Sequence, residues 1–254
     1  MNKYIMITRP AHQSEKLVEG INAAGGDTFL FPTLAIEPIP LSNENFDKVK
    51  LINHFHMIIF ISPNAVEHGL NYIRGITQLS NEVLLATIGQ GSARALEAYL
   101  GKKPDIVPDE NFNSEGLLAT RAMQEVKNKR ILIVRGNGGR ELLKQTLVQR
   151  GALVEYLDAY QRVKPVIDTH ELVLNLQNNQ IAAIVITSTE SLKNLVDMTP
   201  EKVRTQLLQL PLLLINNRLI DTAKEAGFNG ELYVANEASD KAIIETLKLN
   251  NLLS

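Results

Sequence analysis

The 254-residue chain contains no cysteine. Disulfides, iron–sulfur clusters and thiolate zinc sites are therefore excluded. The absence fits a reducing compartment, and the cytoplasm is the expected location. Long apolar runs are missing too. Stretches such as 83–88 and 181–186 fall well short of the roughly 20 residues a membrane span needs, so no membrane segment is expected. The opening Met-Asn-Lys-Tyr-Ile-Met-Ile-Thr is broken by Arg9-Pro10 too early to read as a signal peptide. Net charge is only −2, which argues against a nucleic-acid or anionic-membrane partner and leaves room for a local anion site. No Ser-His-Asp spacing and no isolated carboxylate pair stands out. A strong general acid or base is therefore not in evidence. An enzyme of this composition would act on a substrate that is already reactive, and its task would be positioning.

What is present is a soluble globular composition, 44% hydrophobic and 21% charged. At about 150 residues per domain the length allows one large domain or two smaller ones. Short β-branched runs alternate with amphipathic stretches, beginning with a strand over 4–8, helical spacing of Leu17, Val18, Ile21 and Ala24, a stop at Gly25 and a strand over 28–31. The alternation predicts an α/β protein with parallel sheets. The pattern is also written twice. Arg9 and Arg135, Gly25 and Gly151, Ser62 and Ser188, and Gly101 and Gly227 are each 126 positions apart. Such agreement without gaps indicates an internal duplication. Prolines 38 and 40 follow the second strand of the first copy and Pro165 follows that of the second, marking linkers. Two sequential halves split near Lys127 and a chain that crosses between domains at both linkers both satisfy these observations.

Several motifs sit where strands give way to helices, the edge at which open α/β sheets bind ligands. Arg9 ends the first strand, and Arg135-Gly-Asn-Gly-Gly-Arg140 ends its counterpart. Glycines there let the backbone approach an anion, with helix N–H groups and two guanidinium forks alongside. The bland reading is a tight turn with solvated arginines; a P-loop is excluded by the missing Gly-Lys-Ser/Thr ending. Ser62-Pro-Asn64 and Thr187-Ser188 read as helix caps that could also hold a ligand oxygen, and Asn113-Ser114 reads as an ordinary cap. Gly89-Gln-Gly-Ser92-Ala-Arg94 half-matches a dinucleotide fingerprint, with Arg94 in place of the third glycine and Asp109 a weak stand-in for the ribose acid. His54 and His56 would share one face of a strand but lack a third metal ligand. Tyr160 closes the second strand of the second copy, before the linker, where its phenol could donate a hydrogen bond into a cleft; Tyr156 is a nearby competitor.

Taken in order, Thr8-Arg-Pro, Ser62-Pro-Asn-Ala-Val, Ile88-Gly-x-x-Ser92-Ala-Arg-Ala-Leu, Ser114-Glu-Gly-Leu-Leu, Arg135-Gly-x-Gly-Gly-Arg-Glu-Leu, Tyr160, Thr187-Ser188 and Ala223–Phe228 resemble the uroporphyrinogen-III synthase family of tetrapyrrole and haem biosynthesis. The resemblance spans essentially the whole chain. It implies two flavodoxin-like parallel-sheet α/β domains joined by a two-stranded linker, with the active site in the cleft between them. One domain would hold residues 1–36 and 163–254 and the other 39–160, with linkers near 37–38 and 161–162. The implied activity is cyclisation of hydroxymethylbilane to uroporphyrinogen III, with loss of water and inversion of ring D through a spiro intermediate, and with neither metal nor organic cofactor. The implied site is Tyr160 as the acid candidate and Ser92 as an assisting hydrogen bond, with Arg9, Arg135 and Arg140 on substrate carboxylates and Ser62, Asn64, Ser114, Gly138 and Ser188 lining the cleft. A monomer is implied, with room for a transient contact with hydroxymethylbilane synthase. One departure is Leu219, which stands where the family often has a threonine as the counterpart of Ser92. The rival readings are a non-catalytic two-domain protein that closes on a small polyanion, since fold alone does not fix function, and a nucleotide-dependent enzyme using Gly89–Arg94.

Overall fold

The computed structural model describes residues 3–139 and 141–253. Ten strands are present among them: β1 (Tyr4–Ile7), β2 (Asp27–Leu30), β3 (Ala35–Pro38), β4 (Met57–Phe60), β5 (Leu84–Thr87), β6 (Arg130–Gly136), β7 (Leu153–Val163), β8 (Ile181–Ile186), β9 (Leu212–Leu214) and β10 (Leu232–Val234). They form two five-stranded sheets, ordered β10-β9-β8-β1-β2 and β3-β7-β6-β4-β5. The recorded pairings from β1 through β10 in the first sheet and from β7 through β5 in the second are all parallel. The protein is thus α/β, as the alternation predicted.

The chain packs as two compact units, Met1–Ala35 with Val163–Ser254, and Ile36–Arg162. This resolves the choice left open by the duplication. The first two strands of each sequence copy pack with the later strands of the other copy, so the chain crosses twice. Within the first unit the strands run 2-1-3-4-5 in space, the doubly wound order. In the second unit β7, β6, β4 and β5 take the same spatial places, with Ile106 bridging to Ala86 at the fifth. The chain simply enters that arrangement at its third strand. The 126-residue repeat is visible in the backbone: β2 starts at Asp27 and β7 at Leu153, and Gly25 and Gly151 close the preceding helices with φ of +88° and +86°.

Both faces of each sheet are covered, which explains why the strands are continuous apolar runs rather than alternating ones. Ile5, Ile7, Ala183 and Val185 face one layer of the first unit, with Leu17 and Ile243 above them; Met6, Ile184 and Ile186 face the other, against Leu192 and Leu172. In the second unit Ile58, Phe60, Leu132 and Val134 pack on Val66 and Leu70, while Met57, Ile59, Ile131 and Ile133 pack on Leu117 and Leu143. Each buried Val, Leu, Ile, Phe or Met among them contributes about 1.5–3 kcal/mol relative to exposure. The strand ends are thereby fixed, and the turns that carry the motifs project from rigid edges.

Two local expectations need correction. β7 runs eleven residues, to Val163, so Tyr160 lies inside a strand rather than closing it. His54 and His56 do not share a strand face: His54 ends a short 3₁₀ turn, β4 begins only at Met57, and His56 Nδ1 accepts the Arg130 backbone N–H at 3.1 Å. Among the described residues no three His, Cys, Asp or Glu side chains gather as metal ligands would, and no helix is long and apolar enough to cross a membrane.

Candidate active site

In the second unit the strand order reverses between β6 and β4, the point at which open α/β sheets form a crevice. The turn after β6 carries Asn137, Gly138 and Gly139. Gly138 has φ of +77° and Gly139 +126°, conformations an L side chain rarely adopts, so the Gly-Gly pair sets this turn. A hollow of about 130 Å³ opens here, lined by Gly136–Gly139, Ile61, Tyr160 and Arg162. Tyr160 is buried, 3% exposed. Its ring approaches the backbone so closely that a Cβ on Gly136 would lie 2.7 Å from it. Its hydroxyl lies 3.0 Å from Ser62 Oγ, and its ring centroid 5.8 Å from that of His68. Ser62 Oγ also accepts the Ala65 N–H at 3.0 Å, so the capping role and the contact with Tyr160 coexist. Asn64 stands in the first turn of the same Pro63–Ile76 helix.

A second hollow, of about 160 Å³, lies on the sheet face occupied by Ile133 and Arg135. Its floor is Ile61, Ile88, Ile133 and Leu143, and its rim carries Ser114, Arg135 and Tyr156. Arg135 is well organised here. Its Nε donates to Asp158 Oδ1 at 2.9 Å, its Nη1 donates to Glu141 Oε1 at 2.8 Å, and its guanidinium carbon lies 3.4 Å from the Tyr156 ring centroid. The register that sets Arg135 opposite Asp158 on β7 fixes the first of these. Tyr156 donates its O–H to Glu141 Oε2 at 2.9 Å, and Lys144 Nζ sits 4.5 Å from its ring centroid. Burial, and then the hydrogen bond to Glu141, push the Tyr156 phenol up to about 12. It is a donor at any physiological pH. Glu141 is held below the usual glutamate range by its hydrogen bonds from Arg135 and Tyr156. Burial disfavours the Arg135 charge, yet the hydrogen bonds to Glu141 and Asp158 outweigh it, and its pKa is raised. Arg135 is therefore a permanent cation that is already paired with carboxylates of the same chain.

The remaining residues singled out from sequence fall at strand–helix junctions. Ser92 is in the first turn of the Gln90–Leu100 helix, 5% exposed. Ser114 opens the Ser114–Ala119 helix, whose cap is Asn113 accepting from Gly116 N. In the first unit Arg9 follows β1 and pairs with Asp240, and Ser188 caps the Thr189–Met198 helix by accepting from Ser191 N at 3.0 Å. Leu219 is buried in the first turn of the Arg218–Glu225 helix, so an apolar contact stands where a hydroxyl was in question. Arg140 lies outside the described residues. Sequence reasoning missed Glu141, Asp158 and Arg162. Glu141 was within the quoted glycine-rich motif, but nothing local marks it as the partner of Arg135 and Tyr156. Gly89 caps its helix in ordinary extended geometry against Phe112, so its conformation gives no support to a dinucleotide turn.

Comparison with known proteins bears directly on this arrangement. The family described as HEM4, uroporphyrinogen-III synthase HemD, matches residues 15–245. The uroporphyrinogen-III synthase of Escherichia coli K12 is 30% identical over 249 residues, covering 96% of this chain and 99% of that protein. That of Salmonella typhimurium is 32% identical over 247 residues, with the same coverage of 96% and 99%. The fold is similar to the crystal structure of uroporphyrinogen-III synthetase from Helicobacter pylori 26695, with a TM-score of 0.61 at 14% identity, covering 98% of this chain and 99% of that one. With the family match running through both units and these relatives matched almost end to end, the chain belongs to the uroporphyrinogen-III synthase family, cyclising lyases of haem biosynthesis.

Proposed function

We propose that the chain closes hydroxymethylbilane to uroporphyrinogen III by holding it in one shape, with its own residues supplying grip rather than a strong acid or base. The supporting observation is the crevice at the strand reversal of the second unit. There a glycine-built turn, a buried phenol–serine pair and a guanidinium stacked on a phenol gather at one sheet edge. The substrate carries eight carboxylates and electron-rich pyrroles. The pyrrole nitrogen assists loss of the hydroxyl, so the carbon–oxygen bond breaks without a powerful acid. Tyr160 is assigned to hydrogen-bond the departing hydroxyl, and Ser92 to assist. Water carries off the hydroxyl with one proton, and ring D returns a proton when its aromaticity is restored after the spiro intermediate. Water is then the only net loss.

Left alone, the linear substrate closes to the uninverted ring. The enzyme's work is to direct attack to the substituted carbon of ring D and exclude the competing closure, which is catalysis by orientation. Arg135 and Arg140 are assigned to carboxylates, with Ser62, Asn64, Ser114 and Gly138 lining the bound chain. Arg9 and Ser188 are assigned on the resemblance to the family. The same reading takes the chain as a cytoplasmic monomer that uses no metal or organic cofactor and meets hydroxymethylbilane synthase transiently. The test is to supply freshly made hydroxymethylbilane and separate the product isomers. Type III product is expected, and type I alone overturns the reading. Tyr160→Phe is expected to slow turnover more than tenfold with the fold intact, and an unchanged rate removes Tyr160 from the mechanism.

A further inference from the structure

The hollow floored by Ile61, Ile88, Ile133 and Leu143 is about 160 Å³ in volume. A cavity of about 150 Å³ takes a benzene ring, so one pyrrole ring fits and a tetrapyrrole does not. Two of its rim donors, Arg135 Nη1 and the Tyr156 hydroxyl, are both satisfied by one carboxylate, Glu141, at 2.8 and 2.9 Å. That carboxylate bridges a cation and a phenol as a ligand carboxylate would. It is also placed to move. Glu141 is 47% exposed and follows directly after the glycine-rich turn and position 140. It stands at the N-cap of the Leu142–Gln149 helix without capping it through its side chain. Asp158, by contrast, is tied to Arg135 by strand register. Arg135 thus has one fixed and one exchangeable carboxylate.

We propose that this hollow seats one pyrrole ring of the substrate, and that Glu141 occupies in the empty enzyme the place taken by that ring's carboxylate arm in the complex. Glu141 is then a specificity-determining residue. It keeps Arg135 and Tyr156 aligned and satisfied between turnovers, and it sets a threshold that a neutral or short-armed ring does not cross, because only a carboxylate replaces both hydrogen bonds. The inference rests on the assignment of hydroxymethylbilane as substrate.

Steady-state kinetics on hydroxymethylbilane, with isomer analysis, test it on wild type, Glu141→Ala, Arg135→Lys and the double variant. A competitor that holds the donor pair about 70–90% of the time weakens apparent affinity about three- to tenfold. Glu141→Ala is therefore expected to lower KM by about that factor with a much smaller change in kcat, while in the Arg135→Lys background the gain disappears. Calorimetric titration with uroporphyrin III, a stable octacarboxylate, is expected to show tightening by a similar factor without any turnover. A KM that is unchanged or raised in Glu141→Ala, with type III product still formed, overturns the exchange and leaves the family reading standing. Wild-type enzyme that yields only type I product overturns the family reading instead.

Discussion

The two units share a strand order and a 126-residue repeat, yet they finish the same sheet edge in opposite ways. In the first unit three buried hydroxyls knit the edge together. Thr8 Oγ1 donates to Val185 O at 2.8 Å, Ser191 Oγ donates to Thr8 Oγ1 at 2.8 Å, and Thr33 Oγ1 lies 2.8 Å from Ser191 Oγ. In the second unit the equivalent positions are Val134, Ala159 and Ala65, all fully buried and apolar. Its polar groups have moved outward instead, to Arg135, Tyr156 and Glu141 on the rim of a hollow and to Tyr160 against Ser62. One unit uses its polar side chains to hold backbone, and the other presents them at a crevice. A duplicated scaffold can therefore keep its strand order while one edge is knitted shut by buried hydroxyls and the other carries a hollow rimmed by polar groups.

The strongest test of this contrast is Gly136→Val. The added Cβ meets the Tyr160 ring at 2.7 Å, so the ring must leave its place beside Ser62. A loss of about 1–3 kcal/mol of stability is expected from overpacking, together with a fall in kcat/KM of more than tenfold; wild-type kinetics would break the link between the glycine turn and the phenol. Next is the hydroxyl cluster. Ser191→Ala removes one hydroxyl partner from each of Thr8 and Thr33, which keep the Val185 and Ser191 carbonyls as acceptors, and is expected to cost about 0.5–1.5 kcal/mol in urea unfolding. Thr8→Val, Thr33→Ala and Ser191→Ala combined reproduce the apolar set of the second unit. The triple variant is expected to cost less than the sum of its single substitutions, because partners are removed together. Strict additivity would contradict the network.

Smaller effects come from single groups. Thr87 is fully buried at the end of β5, and its Oγ1 has no hydrogen-bond partner among the described residues. Thr87→Val is expected to be neutral or stabilising by up to about 1 kcal/mol, and a large loss would reveal a partner for that hydroxyl. Smallest is the titration of Glu141. Its folded pKa is depressed, by Arg135 and then Tyr156. The stability it lends is present above the ordinary glutamate pKa of about 4.3 and is lost as pH falls through the lower folded value. Carboxyl carbon NMR should place its midpoint below that of an unpaired glutamate; a midpoint at or above the ordinary value would mean that the ion pair with Arg135 is not maintained in solution.

Much of this architecture is written locally. Ser62, Asn113 and Ser188 cap helices where their residue types place caps, and Gly25 and Gly151 stop helices with positive φ, because these choices depend on a few neighbouring dihedrals. The double crossing was not legible in the local pattern, since either packing of the duplicated halves satisfies it; only the family resemblance implied it. The reach of β7 past Tyr160 was hidden because its pairing with β6 ends at Tyr160, and its other neighbour in the sheet, β3, is set by topology rather than by local sequence. Local sequence also could not join Arg135 to Asp158, 23 positions away, or Thr8 to Ser191, 183 positions away. Those contacts exist only once register and topology are set. The candidate site residues were legible as types, and their pairings were not.

The most direct measurement of the central claim is the ratio of type III to type I uroporphyrinogen as wild-type enzyme is titrated against a fixed amount of hydroxymethylbilane. Catalysis by orientation predicts a rising type III share, approaching completeness once enzymatic closure outruns the spontaneous reaction. A ratio that stays at the spontaneous value however much enzyme is added would contradict the account.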